Sequence, residues 1–277
     1  MINQQLSKFA THENSAYPQL WRGCVGAWCP SLGPSGARLH DYSRRMNWGT
    51  LTNMDPATDW VVDNGAYCFD LDGSDDYVAI DNLRYPSGNQ VFSISYWIKY
   101  TTSQSSFRLP IGLGTDAGGG NQAYFIYRDP STTYLVAEFG SGTGAANSTS
   151  ALALGEWVHL CGTYDGASNR LYRAGSQIAS AAYSSANITG SRLWLGAVYR
   201  IIDNAVVYQT ACQMDDVRLY SRALHPSEVQ LLARRRGIAF TPRARRLAVP
   251  EQAAAGGATP WLYARRRSQI IGAGGVH

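Results

Sequence analysis

Residues 92–100 read Phe-Ser-Ile-Ser-Tyr-Trp-Ile-Lys-Tyr, and this stretch decides the fold class. Large apolar side chains occupy every second position from Phe92 to Tyr100, and serine, tryptophan or lysine occupies the positions between them. Successive side chains of a β-strand point to opposite faces, so a period of two is that of a strand with one buried face. The stretch therefore predicts a half-buried β-strand.

Shorter stretches of the same kind lie further along the chain, separated by clusters of Gly, Ser, Asn and Asp. The predicted strands are Ala123–Arg128, Tyr134–Phe139, Trp157–Tyr164, Arg170–Arg173, Leu193–Leu195 and Met214–Tyr220. Short strands joined by turns, without helices between them, exclude an alternating α/β fold and predict a sandwich or barrel. One short helix is expected, with Pro226 at its first position, His225 as a weak cap and Gly237 as its end.

The composition supports an all-β domain and divides the chain into three parts. Hydrophobic residues make up 45% of the 277 residues and charged residues only 16%, and there are 28 glycines and 17 tyrosines. The whole chain has a net charge of +4. Residues 234–277 hold nine arginines against one acid, Glu251, which gives this part a charge of +8 and the rest of the chain a charge of −4. We predict a polar leader over 1–19, one sandwich over 20–233 and an extended basic arm over 234–277.

The cysteines and the N-terminus bear on the cellular location. Five cysteines without paired spacing predict small buried side chains in a reducing compartment rather than disulfides or a zinc site. The first residues lack the pattern of a signal peptide, and no apolar run is long enough to span a bilayer. We therefore expect a protein made in the cytoplasm with no membrane partner.

Five motifs follow one another in an order that resembles a known family. They are 39–51, 69–78, 92–99, 155–166 and 214–229. Together they are similar to the laminin-G-like domains of the concanavalin A-like lectin and glucanase group, and the resemblance covers about residues 20–233. It implies a jelly-roll sandwich of two antiparallel sheets. It also implies a binding role, because members of the family bind glycans, proteins or calcium at the rim of the sandwich.

Two groups of aspartates predict a calcium site. Asp70, Asp72, Asp75 and Asp76 crowd one turn, and a sandwich could bring Asp215 and Asp216 near it. Carboxylate oxygens gathered from two loops are what Ca²⁺ requires, so the expected ligands are Asp72, Asp75, Asp76, Asp215 and Asp216. The alternative is that these carboxylates accept backbone N–H bonds and fix turns.

Tyrosines of the predicted strands are the candidates for stacking on sugar rings. The expected ligand-binding residues are Tyr124, Tyr127, Tyr199 and Tyr208, with strand packing as the alternative for each of them. Hydrolysis is not expected, because none of the five glutamates lies in a Glu-x-Asp-x-x-Glu pattern. The five histidines are scattered, and the nucleophile elbow and the phosphate loop are both missing. We predict that the protein is not an enzyme.

The basic arm is expected to bind a partner protein. Its predicted contact residues are Arg234, Arg235, Arg236, Trp261, Tyr263, Arg265, Arg266 and Arg267. Arginine clusters could also contact nucleic acid, but the aromatic residues favour docking onto a neighbouring subunit in an oligomeric assembly.

These observations predict a non-enzymatic binding or structural module. A cytoplasmic birthplace and an assembly arm favour a bacteriophage virion protein, a head or tail decoration or adhesion protein that binds glycans. The alternative is a bacterial carbohydrate-binding module at the cell surface or outside the cell.

Overall fold

A computed structural model describes residues 14–84, 91–103, 108–114, 123–128, 134–139, 143–184, 192–200 and 204–243. For residues 123–125, 127–128, 134–139, 143 and 149–151 it describes the backbone alone. Tyr124 and Tyr127 belong to this second group, and the predicted contact residues from Trp261 to Arg267 lie outside the described residues.

The described chain is almost entirely β-structure. Its strands are β1 (Cys24–Trp28), β2 (Arg38–Leu39), β3 (Gly49–Thr52), β4 (Trp60–Asp63), β5 (Ala66–Asp72), β6 (Tyr77–Ile80), β7 (Phe92–Tyr100), β8 (Arg108–Gly114), β9 (Ala123–Arg128), β10 (Tyr134–Phe139), β11 (Thr143–Ala151), β12 (Val158–Tyr164), β13 (Ser168–Arg173), β14 (Ser176–Ala182), β15 (Leu193–Leu195), β16 (Val198–Arg200), β17 (Ala205–Val207) and β18 (Ala211–Tyr220). One α-helix, α1 (Pro226–Leu232), follows them, and short 3-10 helices span Pro18–Trp21, Pro30–Leu32 and Ile238–Phe240. Among these residues no helix is long and apolar enough to cross a membrane.

Two antiparallel sheets form the body. The first sheet has the order β14-β13-β12-β7-β18-β5-β4, with β1 added beside β18. The second sheet has the order β11-β10-β9-β8-β15-β6-β3-β2, and β16 and β17 form a separate ribbon. Neighbours distant in sequence, such as β7 and β18, identify a jelly roll rather than a meander. The predicted two-sheet sandwich is confirmed.

The core lies between the two sheets. The alternating residues Phe92, Ile94, Tyr96 and Ile98 of β7 are fully buried and pack in one cluster with apolar residues of both sheets. Val78 and Ile80 of β6, Ile111 and Leu113 of β8, and Leu193 and Leu195 of β15 come from the second sheet. The period of two that the sequence shows is therefore the period of core packing.

A second apolar cluster covers the outer face of the first sheet, and we call it the covering layer. It contains Trp21 from the first 3-10 helix, Val229 and Leu232 from α1, and Phe240 from the last 3-10 helix. The alternate residues of β7 face it: the indole N–H of Trp97 donates to the carbonyl of Leu232 at 3.3 Å. This layer therefore covers the middle of the outer face.

Side chains from the loop over residues 40–48 close the free edge of β1. The Ala27 N–H donates to Asp41 Oδ1 at 2.9 Å, and Asn47 Nδ2 donates to the carbonyl of Val25 at 2.6 Å. The hydroxyl of Ser43 reaches the same Val25 carbonyl at 3.1 Å. An open strand edge invites pairing with another chain, so this loop blocks it with polar side chains.

The sandwich extends beyond its expected end at residue 233. The Gly237 N–H donates to Asp216 Oδ2 at 2.9 Å, Phe240 is 3% exposed, and Ser15 forms a bridge with Pro242. The predicted boundaries at 19 and 233 were therefore wrong, because buried contacts hold residues 14–19 and 234–243 against the sheets. Residues 244–277 lie outside the described part.

The helix and the cysteines follow the sequence expectations with one refinement. Pro226 occupies the first turn, and His225 is a better cap than expected because Nδ1 accepts from the Ser227 N–H while Glu228 accepts from the His225 N–H. The helix ends at Leu232, before Gly237. Cys24, Cys29, Cys68, Cys161 and Cys212 are all free and buried.

Candidate functional site

The outer face of the second sheet carries a row of residues that face away from the core. Thr50 of β3 pairs with Ala79 of β6, Ala79 pairs with Trp194 of β15, and Trp194 pairs with Gly112 of β8. Residues directly opposite one another in an antiparallel sheet share a face, and their sequence neighbours Val78, Ile80, Leu193 and Leu195 lie in the core. The row therefore spans three strand spacings, roughly 14 Å, of the outer face.

An aromatic cluster stands around Trp194 of β15, one strand in from the β8 end of this row. The ring of Tyr199 stacks on Trp194 with centroids 5.7 Å apart and planes 13° apart, and Tyr77 lies 5.5 Å from Trp194 on another side. Trp194 is 5% exposed, whereas Tyr77 and Tyr199 are half-buried. Trp194 thus forms the floor of the cluster, and the two tyrosines present the accessible ring surfaces.

A charged pair borders the aromatic rings. The guanidinium of Arg192 lies 5.2 Å from the Tyr199 ring centroid and 6.0 Å from that of Trp194. Its Nε is 3.0 Å from Asp81 Oδ1, and both side chains remain about half exposed. A stacking surface beside exposed donors and acceptors is the arrangement that fixes a polar ring ligand by its face and its edge.

Of the predicted tyrosines, Tyr199 joins this cluster. Tyr208 does not: it packs against the small cluster of Leu109 and Val198, and its hydroxyl accepts from Arg200 at 3.0 Å. Tyr124 pairs with Leu113 in the sheet and Tyr127 with Val136, but their side chains are outside the described part, so their role stays a prediction.

Sequence reasoning missed Tyr77, Trp194, Arg192 and Asp81. The signal was present for Trp194, because it lies between Leu193 and Leu195 in a predicted strand and must point away from a core that holds both leucines. Tyr77 begins β6 and Asp81 follows it, and only the pairing of β6 with β15 brings them beside Trp194.

The first predicted carboxylate group forms as expected. Oxygens of Asp72, Asp75 and Asp76 lie within 4.8 Å of one another. Burial raises the pKa of Asp76 to about 6, and the charges of Asp72 and other nearby aspartates add to the rise. The pKa of Asp72 is lowered despite its partial burial, because the N–H groups of Ser74 and Asp75 donate to its carboxylate.

These carboxylate oxygens are suitable ligands for a hard cation, but they also accept backbone hydrogen bonds that stabilise the turn. Asp72 Oδ1 accepts from the Ser74 N–H at 2.7 Å, and Asp76 Oδ2 accepts from the Asp72 N–H at 3.1 Å. Both functions that the sequence left open are thus compatible with the geometry, and calcium binding by these three residues stays a prediction.

Asp215 and Asp216 do not join that group, so their assignment as calcium ligands was wrong. Both are buried, at 0% and 2% exposed, where β18 bulges between Asp215 and Arg218. Asp215 Oδ1 accepts from the Ser31 N–H at 3.1 Å, and Asp216 Oδ1 accepts from Arg218 Nε at 2.8 Å. Their oxygens hold the covering layer onto the first sheet instead of a metal ion.

Of the three arginines at the start of the predicted arm, two face the solvent and one faces the interior. Arg234 and Arg235 are exposed. Arg236 instead folds inward: its guanidinium lies 4.2 Å from the Trp157 ring centroid and 3.7 Å from Asp215 Oδ2, and it donates to the carbonyl of Asp63 at 2.7 Å. Arg236 therefore holds the sandwich together, and its assignment as a partner-binding residue was wrong.

The described carboxylates give little support to hydrolysis. A raised pKa on Asp76 beside a lowered one on Asp72 is the split that a glycosidase uses for its acid and its nucleophile. Asp76 is only 6% exposed, however, and its Oδ2 already accepts a backbone N–H bond. Glu228 is occupied by Arg222, with both carboxylate oxygens 2.7 Å from guanidinium nitrogens.

Comparison with known proteins agrees with this geometry. Residues 72–230 match the family described as the concanavalin A-like lectin/glucanases superfamily, which is more than half of the chain. No curated protein sequence gave a match.

Similar solved structures include domains of glycoside-cleaving enzymes. Domain 4 of AbnA, an extracellular arabinanase from Geobacillus stearothermophilus solved with arabinotriose, is 20% identical with a TM-score of 0.56, over 76% of this chain and 98% of that one. Trypanosoma rangeli sialidase is 16% identical with a TM-score of 0.54, over 76% of this chain and 32% of that one. This chain thus spans about a third of the sialidase, and at these identities the likeness shows the fold alone.

Proposed function

This chain belongs to the concanavalin A-like lectin/glucanase superfamily, and from that premise we propose that it is a non-catalytic carbohydrate-binding module. The observation that carries the proposal is the cluster of Tyr77, Trp194 and Tyr199 on the outer face of the second sheet, bordered by Arg192 and Asp81. Sugar rings pack their C–H faces on aromatic rings, while their hydroxyls need donors and acceptors at the edge.

A short oligosaccharide, rather than a single sugar, is the proposed ligand. Thr50, Ala79 and Gly112 continue the row on either side of Trp194 with small side chains; Thr50 is exposed, whereas Ala79 and Gly112 are buried. The row runs across the strands for roughly 14 Å. A short chain of sugars that starts on the aromatic cluster and follows the row would reach the exposed Thr50, two strands away from Trp194.

Binding without cleavage is supported by the state of the carboxylates. Asp81 is the acid that borders the cluster, and it is paired with Arg192. A glycosidase needs a second carboxylate across the scissile bond, either about 5 Å away or farther off with a water between. Asp72 and Asp76 flank the turn before Tyr77 and are engaged by N–H groups of that turn.

A glycan array with the full chain tests the proposal. Arabinotriose and sialosides are sensible members of it, because the arabinanase domain and the sialidase were solved with arabinotriose and sialic acid. For any glycan that binds, Tyr199→Ala should weaken the affinity roughly 2- to 13-fold, the value of one aromatic contact of about 0.5–1.5 kcal/mol. Tyr67→Ala is the matched control, because Tyr67 is exposed on β5 of the first sheet.

Two outcomes would count against the proposal. Either the wild-type chain binds no glycan on the array, or Tyr199→Ala binds as tightly as Tyr67→Ala. Release of sugar from aryl glycosides or oligosaccharides by the wild-type chain would contradict the non-catalytic part alone.

We also propose that the module acts within a larger assembly, a virion, with its basic C-terminal residues binding a neighbouring subunit. Support comes from the charge division between the acidic body and the basic residues after 234, and from five free cysteines that suit synthesis in a reducing compartment. Co-sedimentation of the chain with virus particles tests it. The alternative, a module at the cell surface or outside the cell, predicts glycan binding without any particle.

A further inference from the structure

The loop over residues 40–48 presents a surface that the fold does not require. Met46 is 62% exposed and Trp48 is 42% exposed. Arg44 and Arg45 are exposed beside them, and the ring of His40 stacks on Trp48 at 5.2 Å with planes 16° apart. Exposed large apolar side chains and arginines are the residue types enriched at the centres of protein–protein interfaces.

The inward residues of this loop account for its structural role. Asp41, Ser43 and Asn47 close the edge of β1, and the carbonyl of Asn47 also accepts from the Trp28 indole at 2.7 Å. None of these bonds involves an outward side chain, so small polar residues at Met46 and Trp48 would serve the edge equally well.

The same bonds hold the backbone of the loop in one conformation. Arg44 and Met46 adopt φ angles of 71° and 57°, in the left-handed region that side chains other than Gly and Asn enter at a cost. A locked loop loses little conformational entropy when it meets a partner, which favours binding.

The chain also carries an acidic surface that complements the loop. Between Met46 and Leu83 there are eight aspartates and no lysine or arginine. We call Asp55, Asp59, Asp70, Asp72 and Asp75 the acidic pole. Asp63 and Asp81 pair with Lys99 and Arg192, but within the described residues no salt bridge involves the pole.

The pole has no salt-bridge partner in the part of the chain that the structure describes, and it sits apart from the loop of its own molecule. Trp48 precedes β3 and Asp55 follows it, while Asp75 precedes β6, which runs antiparallel to β3. The loop and the pole therefore lie at opposite ends of the same strand pair. Arginines of the loop can neutralise the pole only by reaching another molecule.

We propose that the loop over residues 40–48 of one copy docks onto the acidic pole of a second copy, head to tail. Two different surfaces meet in this contact, so each copy leaves one loop and one pole free, and the assembly grows into a closed ring or an open chain. One loop buries less surface than a standard stable interface, so the association is weak, salt-sensitive and dependent on concentration.

Sedimentation velocity of the full chain at low salt tests this over a range of concentrations. The weight-average sedimentation coefficient should rise with concentration and fall back at high salt. Arg44→Glu/Arg45→Glu should abolish the rise, and so should Asp55→Lys/Asp75→Lys. Thermal melts of both variants must match the wild type, and Trp48→Ser, which leaves all charges in place, provides a second reading if a charge variant fails to fold.

Recombining the charges makes the test specific. The quadruple variant combines Arg44→Glu/Arg45→Glu with Asp55→Lys/Asp75→Lys. It has an acidic loop and a basic pole, so it should associate again. The two double variants should associate with each other when mixed, because each offers surfaces of opposite charge to the other. Arg173→Glu reverses a charge on β13, four strands from β5 in the first sheet and outside both surfaces, and should associate like the wild type. A monomeric wild type, no recovery in the quadruple variant, or dissociation caused by Arg173→Glu would overturn the proposal.

Discussion

The buried pair of Asp216 and Arg218 should be worth several kcal/mol to the folded protein, and removing one charge tests this. Their side chains are 2% and 0% exposed, and Arg218 Nε lies 2.8 Å from Asp216 Oδ1. The guanidinium lies between the rings of Trp21 and Phe240, at 5.0 and 4.9 Å. Its two other nitrogens have no hydrogen-bond partner among the described residues.

Asp216→Asn is the cleanest perturbation. Asp216 has a φ of 45°, which asparagine tolerates, and the single amide oxygen can still accept from one of the two donors, Arg218 Nε or the Gly237 N–H. The negative charge and one acceptor oxygen disappear, and arginine stays protonated, so an uncompensated cation remains buried. Breaking a buried pair in this way costs about 3–5 kcal/mol, and we expect about 3 kcal/mol because one acceptor is kept. That is a large part of a total stability of roughly 5–15 kcal/mol.

Urea unfolding followed by tryptophan fluorescence measures the effect. Arg218→Met should cost about as much as Asp216→Asn, because it strands the carboxylate instead. The double variant should lose no more than either single variant, since a neutral pair leaves no buried charge, which gives a coupling energy of about 3 kcal/mol. Additive losses, or a loss below about 1 kcal/mol for Asp216→Asn, would refute the reasoning.

Two further predictions concern protons and calcium. Burial lowers the pKa of His159 to about 3 in the folded state, whereas the pKa is about 6.5 in the unfolded state. Protonation therefore favours the unfolded state, and stability is lost as the pH falls below 6.5. Between pH 7 and 5 the wild type should lose about 2 kcal/mol relative to His159→Leu, as urea unfolding at each pH would show; parallel curves would contradict this. Calorimetric titration should detect binding of Ca²⁺ to the wild type. The substitution Asp75→Asn removes one charged ligand and should weaken this binding at least tenfold, which is about 1.4 kcal/mol. Binding should also be lost as the pH falls through about 6, because Asp76 then becomes protonated. Identical heats for Asp75→Asn and the wild type would remove these residues from any calcium site.

The sequence predicts the fold well because strand patterns are local. Ala123–Arg128, Tyr134–Phe139 and Leu193–Leu195 form strands with the predicted bounds. The strand expected from Met214 begins earlier, at Ala211, where it pairs with Asp72 of β5. Strand β11 reads Thr-Gly-Ala-Ala-Asn-Ser-Thr-Ser-Ala and has no apolar alternation, so only its pairing with β10 makes it a strand.

The site was harder to predict because it depends on partners distant in sequence. Asp215 and Asp216 look like metal ligands when Arg218, Arg236 and Gly237 are not known to surround them. Arg236 looks like part of a solvated basic arm for the same reason. In both cases the sequence shows a charge correctly but does not show which opposite charge the fold places against it.

The floor of the candidate carbohydrate site is bound to the core through one short strand. Leu193 and Leu195 of β15 fill the space between the sheets, and Trp194 between them forms the floor of the aromatic cluster. A displacement of either leucine therefore moves the floor on which Tyr77 and Tyr199 rest. Sites held on strands are more rigid than sites on loops, so this one should bind its sugar with little rearrangement. Specificity must then come from the groups at its border, Arg192 and Asp81, rather than from the stack itself, because every sugar ring offers an apolar face.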